Sequence, residues 1–106
     1  MAFIRACSKS DIAEGAAYLF DAPDQAIAVV NVDGDFYAVS DLCTHDNWSL
    51  CDGFVEGDEI VCSLHMARFC VRTGEARMPP AYEDLETFPV KIEGDDVLVD
   101  PDGTAD

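Results

Sequence analysis

The sequence predicts an all-β domain. Three features carry that prediction: short β-rich runs recur along the chain, turn residues separate them at close spacing, and little of the sequence reads as helix. Residues 3–7 form the first candidate strand. Residues 10–14 read as one helical turn, capped by Ser10 and ended by Gly15. Residues 26–32 are a longer β-rich run, Asp33-Gly34 makes a tight turn, and residues 36–39 return. Asp-Gly between two such runs is a strong hairpin signal. Turns at Asp52-Gly53, Glu56-Gly57-Asp58, Thr73-Gly74 and Glu93-Gly94-Asp95 separate further candidate strands at residues 54–55, 59–62, 69–72, 90–92 and 97–99. A second helical turn is expected over residues 82–85, after Pro79-Pro80. The tail, residues 100–106, reads as a frayed end. No internal repeat, linker or low-complexity tract interrupts the chain.

At 106 residues the chain fits one domain, residues 1–106, with an adequate but thin core. A structural metal would therefore matter to its stability. There are 22 acidic residues against 6 basic ones, a formal net charge of −16. That excludes the basic footprint of nucleic-acid binding and works against adsorption to anionic membranes. It suits solubility, and steering toward a basic patch on a partner protein. No apolar run approaches the ~20 residues of a membrane span, and the N-terminus lacks the regions of a signal peptide. The expected compartment is the cytoplasm, where thiols stay reduced. The five cysteines then point to metal or redox chemistry before disulfides.

Both histidines of the chain sit just after a cysteine, in Cys43-Thr44-His45 and Cys62-Ser63-Leu64-His65. Each pair lies near turn residues and can occupy a loop tip. The sixteen residues between His45 and Cys62 suffice for an out-and-back hairpin that brings the loops face to face. Two thiolates and two imidazoles suit tetrahedral zinc or a [2Fe–2S] rhomb. Zinc fingers usually keep cysteines together and place the histidines on a helix; here each pair is mixed and no helix is read. Mixed pairs suit two metal ions, with Cys43 and Cys62 on one iron and His45 and His65 on the other. A zinc-stabilised adaptor module stays open at this point.

These two motifs resemble the ligand loops of the Rieske family. Their wider context, residues 43–50 and 62–74, closely resembles the ferredoxins of bacterial aromatic-ring dioxygenases of the biphenyl, toluene and naphthalene type. The likeness continues past Pro79-Pro80 and Phe88-Pro89-Val90 to Val97-Leu98-Val99. It implies the Rieske fold: three antiparallel sheets, with a cluster-binding subdomain at about residues 41–82 inserted in a β base. It implies one Rieske-type [2Fe–2S] cluster on Cys43, His45, Cys62 and His65. It also implies a monomeric electron carrier, not an enzyme in itself, passing electrons from a flavin-dependent ferredoxin reductase to a terminal oxygenase. A small subunit of another reductase, such as nitrite reductase, is the alternative within this fold.

Histidine ligation leaves the oxidised cluster neutral, so its reduction is easier than that of an all-cysteine cluster near ~−400 mV. Within the Rieske range the sequence argues for the low end, nearer ~−150 mV than ~+300 mV. High-potential members carry an extra cysteine in each loop, and a Ser and a Tyr that donate to cluster sulfurs. The matching positions here are Trp48, Leu64, Ala67 and Phe69. Trp48 and Met66 read either as an apolar collar around the cluster or as core. Pro79 and Pro80 resemble the loop that covers it. Cys7 and Cys70 read as small buried apolar residues and Cys51 as an exposed thiol, with a Cys51–Cys70 bridge as the lesser alternative. Arg68, Arg72 and Arg77 are expected to neutralise neighbouring carboxylates rather than orient a partner.

Overall fold

The residues described in the computed structural model are 3–21, 26–41, 53–61, 68–78 and 84–101. In chain order the strands are β1 (Ile4–Ser8), β2 (Ala17–Asp21), β3 (Ala26–Val32), β4 (Asp35–Ser40), β5 (Phe54–Glu56), β6 (Glu59–Val61), β7 (Arg68–Cys70), β8 (Ala76–Met78), β9 (Thr87–Phe88), β10 (Val90–Glu93) and β11 (Asp96–Val99). They form three antiparallel sheets, ordered β1-β11-β10, β2-β3-β4-β9 and β5-β6-β7-β8. The third sheet is inserted in sequence between β4 and β9, which pair directly with Ala38 opposite Phe88.

The strand β3 explains this layering. Its sequence, Ala-Ile-Ala-Val-Val-Asn-Val, is apolar on both faces, as a strand covered on both sides must be. Ala28, Val30 and Val32, with Val39 of β4, pack against Ile60, Phe69, Val71 and Leu85 beneath the inserted sheet. Ile27 and Val29, with Ala38 and Phe88, pack against Cys7, Val97 and Val99 on the first sheet and against Ile12. Each face thus belongs to a different core, separated by the period-2 alternation of the strand.

The Asp33-Gly34 hairpin forms as the sequence predicts. Asp33 has φ 52° and Gly34 φ 93°, both in the region a two-residue primed turn requires, and Val32 pairs with Asp35. Asn31, although buried, has its amide satisfied at both ends. Its Nδ2 donates to the Ile12 carbonyl at 2.8 Å, and its Oδ1 accepts the Gly34 N–H at 2.8 Å.

The helical turn is displaced. A 3₁₀ turn covers Lys9–Asp11 and is capped by Ser8, not Ser10. The Ser8 N–H donates to the Asp11 carboxylate at 2.9 Å, and the Lys9 N–H donates to the Asp95 carbonyl at 2.7 Å. The turn therefore starts where β1 ends beside β11. Asp84 and Leu85 are not helical, and residues 82 and 83 of that predicted turn lie outside the described residues. The expected fraying does not include Asp100, and residues 102–106 lie outside the described residues. Asp100 is 1% exposed and its N–H donates to the Pro89 carbonyl at 3.2 Å. Strands β2, β8 and β9 had no counterpart among the predicted ones.

Candidate metal centre

The inserted sheet gathers strand ends that neighbour, in sequence, the segments carrying the predicted ligands. Phe54 lies opposite Val61, Val61 opposite Arg68, and Arg68 opposite Met78. These four residues form one row at one end of the sheet. In sequence, residues 42–52 precede Gly53 and Phe54, residues 62–67 lie between Val61 and Arg68, and residues 79–83 follow Met78. The structure therefore brings together the strand ends flanking both ligand motifs and the Pro79-Pro80 segment. Cys43, His45, Cys62 and His65 lie outside the described residues, as do Trp48, Cys51, Leu64, Met66, Ala67, Pro79 and Pro80.

The donor set itself fits a Rieske-type cluster. Two thiolates would balance the charge of two ferric ions and two sulfides, and two neutral imidazoles would complete the ligand set without adding charge. Among the described residues no group of three or more His, Cys, Asp or Glu side chains could hold a metal ion.

One face of the inserted sheet is apolar and the other ionic. Val55, Ile60, Phe69 and Ala76 face the core shared with β3 and β4. Phe69 is fully buried and, lacking a hydroxyl, offers no hydrogen bond. On the opposite face Arg68 Nη1 reaches Glu56 at 3.0 Å and Glu59 at 3.2 Å, tying β5, β6 and β7 together. Hydrogen bonds to these two carboxylates push the Arg68 guanidinium above its ordinary pKa. Arg77 reaches Glu75 at 3.3 Å, Glu59 at 3.5 Å and Asp58 at 3.7 Å. The negative charge the Cys70 thiol would carry, then the Glu75 hydrogen bond, raises its pKa. Arg72 lies 3.7 Å from Asp58, donates to the Tyr37 hydroxyl and stacks 5.1 Å from that ring's centroid. All three arginines thus neutralise local carboxylates, as the sequence suggested.

Cys70 is a buried free thiol facing Asp58, with Sγ 3.9 Å from Oδ2, so the Cys51–Cys70 bridge is not made. Cys7 is likewise free and buried, under Ile12 and Val97. Gly74 closes the turn after β7. It has φ 79°, its N–H donates to the Cys70 carbonyl at 2.7 Å, and its own carbonyl accepts the Leu85 N–H at 2.7 Å. The Ala76 N–H donates to Asp84 Oδ1 at 2.9 Å. These bonds fasten the chain that returns from residues 79–83 onto the inserted sheet. A Cβ at Gly74 would collide with the Leu85 carbonyl, so the approach requires glycine. Asp41, just after β4, is 3% exposed, a buried acidic residue that the sequence did not single out. Its one signal is its place two residues before Cys43.

Among the described residues no helix is long and apolar enough to cross a membrane. Residues 2–89 match the family described as the Rieske [2Fe-2S] domain. The chain is 48% identical over 101 residues to the biphenyl dioxygenase ferredoxin subunit of Pseudomonas sp. strain KKS102, covering 94% of this chain and 93% of that one. It is 48% identical over 103 residues to the ferredoxin component of biphenyl 2,3-dioxygenase from Rhodococcus jostii strain RHA1, covering 97% and 96%. A structure of reduced oxygenase in complex with oxidised ferredoxin, from carbazole 1,9a-dioxygenase, contains a chain that superposes with a TM-score of 0.92. That match is 30% identical and covers 98% of this chain and 97% of that one. A nitrite reductase small subunit from Mycobacterium tuberculosis superposes at 0.82 with 14% identity, over 92% and 93%, a likeness of fold alone.

Proposed function

This chain belongs to the Rieske [2Fe–2S] domain family, and from that premise we propose that it is a low-potential one-electron carrier serving an aromatic-ring dioxygenase, supplied by a flavin-dependent ferredoxin reductase and emptied by a terminal oxygenase. It carries one Rieske-type [2Fe–2S] cluster and is an electron-transfer component, not an enzyme in its own right. That sets aside the zinc module. The observation that carries the reading is near end-to-end identity of 48% with two biphenyl dioxygenase ferredoxins. The nitrite reductase alternative rests on fold alone.

Cys43 and Cys62 supply the thiolates and His45 and His65 the imidazoles, within a cluster-binding subdomain of about residues 41–82 in the single domain 1–106. When bound, the cluster accepts and releases one electron. The chain's own residues set the terms of that exchange. The row Phe54–Val61–Arg68–Met78 holds the strand ends that flank the ligands. Phe69, where high-potential relatives have a tyrosine, gives no O–H to stabilise added negative charge. The net charge of −16 steers a monomeric carrier in the cytoplasm toward basic docking patches. Interfaces for such transfer are small and transient.

Reconstitution tests this. The chain is mixed with a flavin-dependent reductase and terminal oxygenase of a biphenyl-type system. Product formation should depend on the chain, and its reduction should slow steeply with salt. Failure to accept electrons from such reductases, or to pass them to such oxygenases, would overturn the assignment.

A further inference from the structure

Strand β9 covers only part of β4. Ala38 pairs with Phe88 and Val39 with Thr87, and then Pro89, which has no N–H to donate, ends the pairing. The chain turns away into β10 of the first sheet, so β9 does not reach Phe36 or Tyr37. On the other side Val71 is anchored by its N–H, which donates to the Asp58 carbonyl at 2.9 Å. Between these segments lies a half-open cavity of about 210 Å³. Phe36 and Tyr37 of β4, Phe88 of β9, Val90 of β10, and Val71 and Arg72 just after β7 line it, so all three sheets contribute. None of these residues belongs to the predicted ligand motifs.

Charge and shape select what such a cavity takes. Of the described residues around it, only Arg72 is charged. Arg72 Nη1 donates to the Tyr37 hydroxyl, and the guanidinium sits 5.1 Å from the centroid of that ring. Asp58 lies 3.7 Å from Nε, an ion pair beyond hydrogen-bond range. Among the described residues Nη2 has no hydrogen-bond partner. The guanidinium is thus held in place with N–H donors left over for a planar, two-oxygen acceptor. A cation is disfavoured, because the Tyr37 face that would attract it already carries Arg72. Val71 and Phe88 are buried and give the cavity an apolar floor. An apolar cavity of about 150 Å³ admits benzene, so this one has room for a single ring. It is smaller than the ~300 Å³ at which sites for drug-sized ligands begin. We propose that this cavity is a binding site for monocyclic aromatic carboxylates, with the carboxylate on Arg72 and the ring against Val71, Phe88 and Val90. The site is independent of the electron-transfer reading and stands or falls without it.

The test is a titration of the full-length oxidised holoprotein with benzoate at constant ionic strength, followed by amide NMR. Benzoate should shift the amides of Phe36, Tyr37, Val71, Arg72 and Val90 together, to saturation. Acetate, which lacks the ring, and benzyl alcohol, which lacks the charge, should each bind at least about tenfold more weakly. Arg72→Gln should weaken benzoate at least about tenfold, because it removes charge-assisted hydrogen bonds. Val90→Phe, which fills the cavity and leaves Arg72 in place, should abolish saturation. Arg72→Gln alters a half-exposed side chain, so it decides the matter if Val90→Phe folds poorly. Arg5→Gln, at an exposed arginine of β1, should leave benzoate binding unchanged. Shifts that fail to saturate, that map to Arg5 and Lys91 instead, or that persist unchanged in Arg72→Gln would overturn the proposal. So would acetate or benzyl alcohol binding as tightly as benzoate.

Discussion

The two faces of β3 bury similar apolar sets but support regions built differently. Toward the first sheet, Ile27 and Val29 meet strands of four and five residues, and the contact closes with Val97 and Val99 at full burial. Toward the inserted sheet, Val30 and Val32 meet strands of only three residues. Strands that short bring few ladder hydrogen bonds and little area each. The inserted sheet compensates with the Arg68 and Arg77 ion pairs, the Gly74–Leu85 clamp and, in the proposed reading, a metal cluster at one end. The β base is thus held by burial and the inserted sheet by cross-links.

The comparison breaks most visibly on metal removal. In chelator-treated apoprotein, amides of β5–β8 should lose most of their hydrogen-exchange protection while β3 and β4 keep theirs. Uniform loss would show that the two regions are one cooperative unit. Next in size is Gly74→Ala, which forces a Cβ onto the Leu85 carbonyl at a positive φ. It should lower stability by about 2–4 kcal/mol and speed cluster loss, read by denaturation and visible absorbance. A matched pair follows. Val29→Ala and Val30→Ala each empty a fully buried site and should cost about 2 kcal/mol. Only Val30→Ala should also accelerate cluster release, because only its face touches the inserted sheet.

The smallest effect is a pH dependence confined to the base. Burial, then the nearby Asp11 carboxylate, pushes the Cys7 thiol above its ordinary 9.0, with Arg5 opposing. The unfolded chain releases that proton first. The contribution is therefore complete below about pH 9 and is lost as pH rises through the folded value. Denaturation midpoints should fall above pH 9, by less than about 1.4 kcal/mol per pH unit from this group. Cys7→Ala should flatten that slope. An unchanged slope would contradict the assignment.

The hairpins were legible because their turns are local: Asp33-Gly34 and Gly94-Asp95 each connect strands next to each other in sequence. The proposed ligand pairs, which lie outside the described residues, stand out in the sequence for a similar reason, since cysteine and histidine two or three residues apart carry their own chemistry. The strands that went unread depend on distant partners. β2 buries neither face cleanly and leaves Leu19 49% exposed, so its alternation is faint. β9 is two residues before Pro89, and only β4 makes it a strand. β8, Ala-Arg-Met, is defined by its pairing with β7 across a bulge. Arg68 reads as a surface charge in the sequence, and its role in joining three strands emerges only from the register. Asp41 looked like an ordinary acidic residue among 22, because burial is a property of the packed sheets and not of its neighbours in sequence.

The central claim is that Cys43, His45, Cys62 and His65 hold a [2Fe–2S] cluster with mixed ligation. EPR of the dithionite-reduced protein tests it most directly. A Rieske signal, with average g well below that of all-cysteine clusters, is the result this account predicts. It should disappear from His45→Ala and His65→Ala. An all-cysteine type signal, or a colourless protein holding zinc, would contradict it.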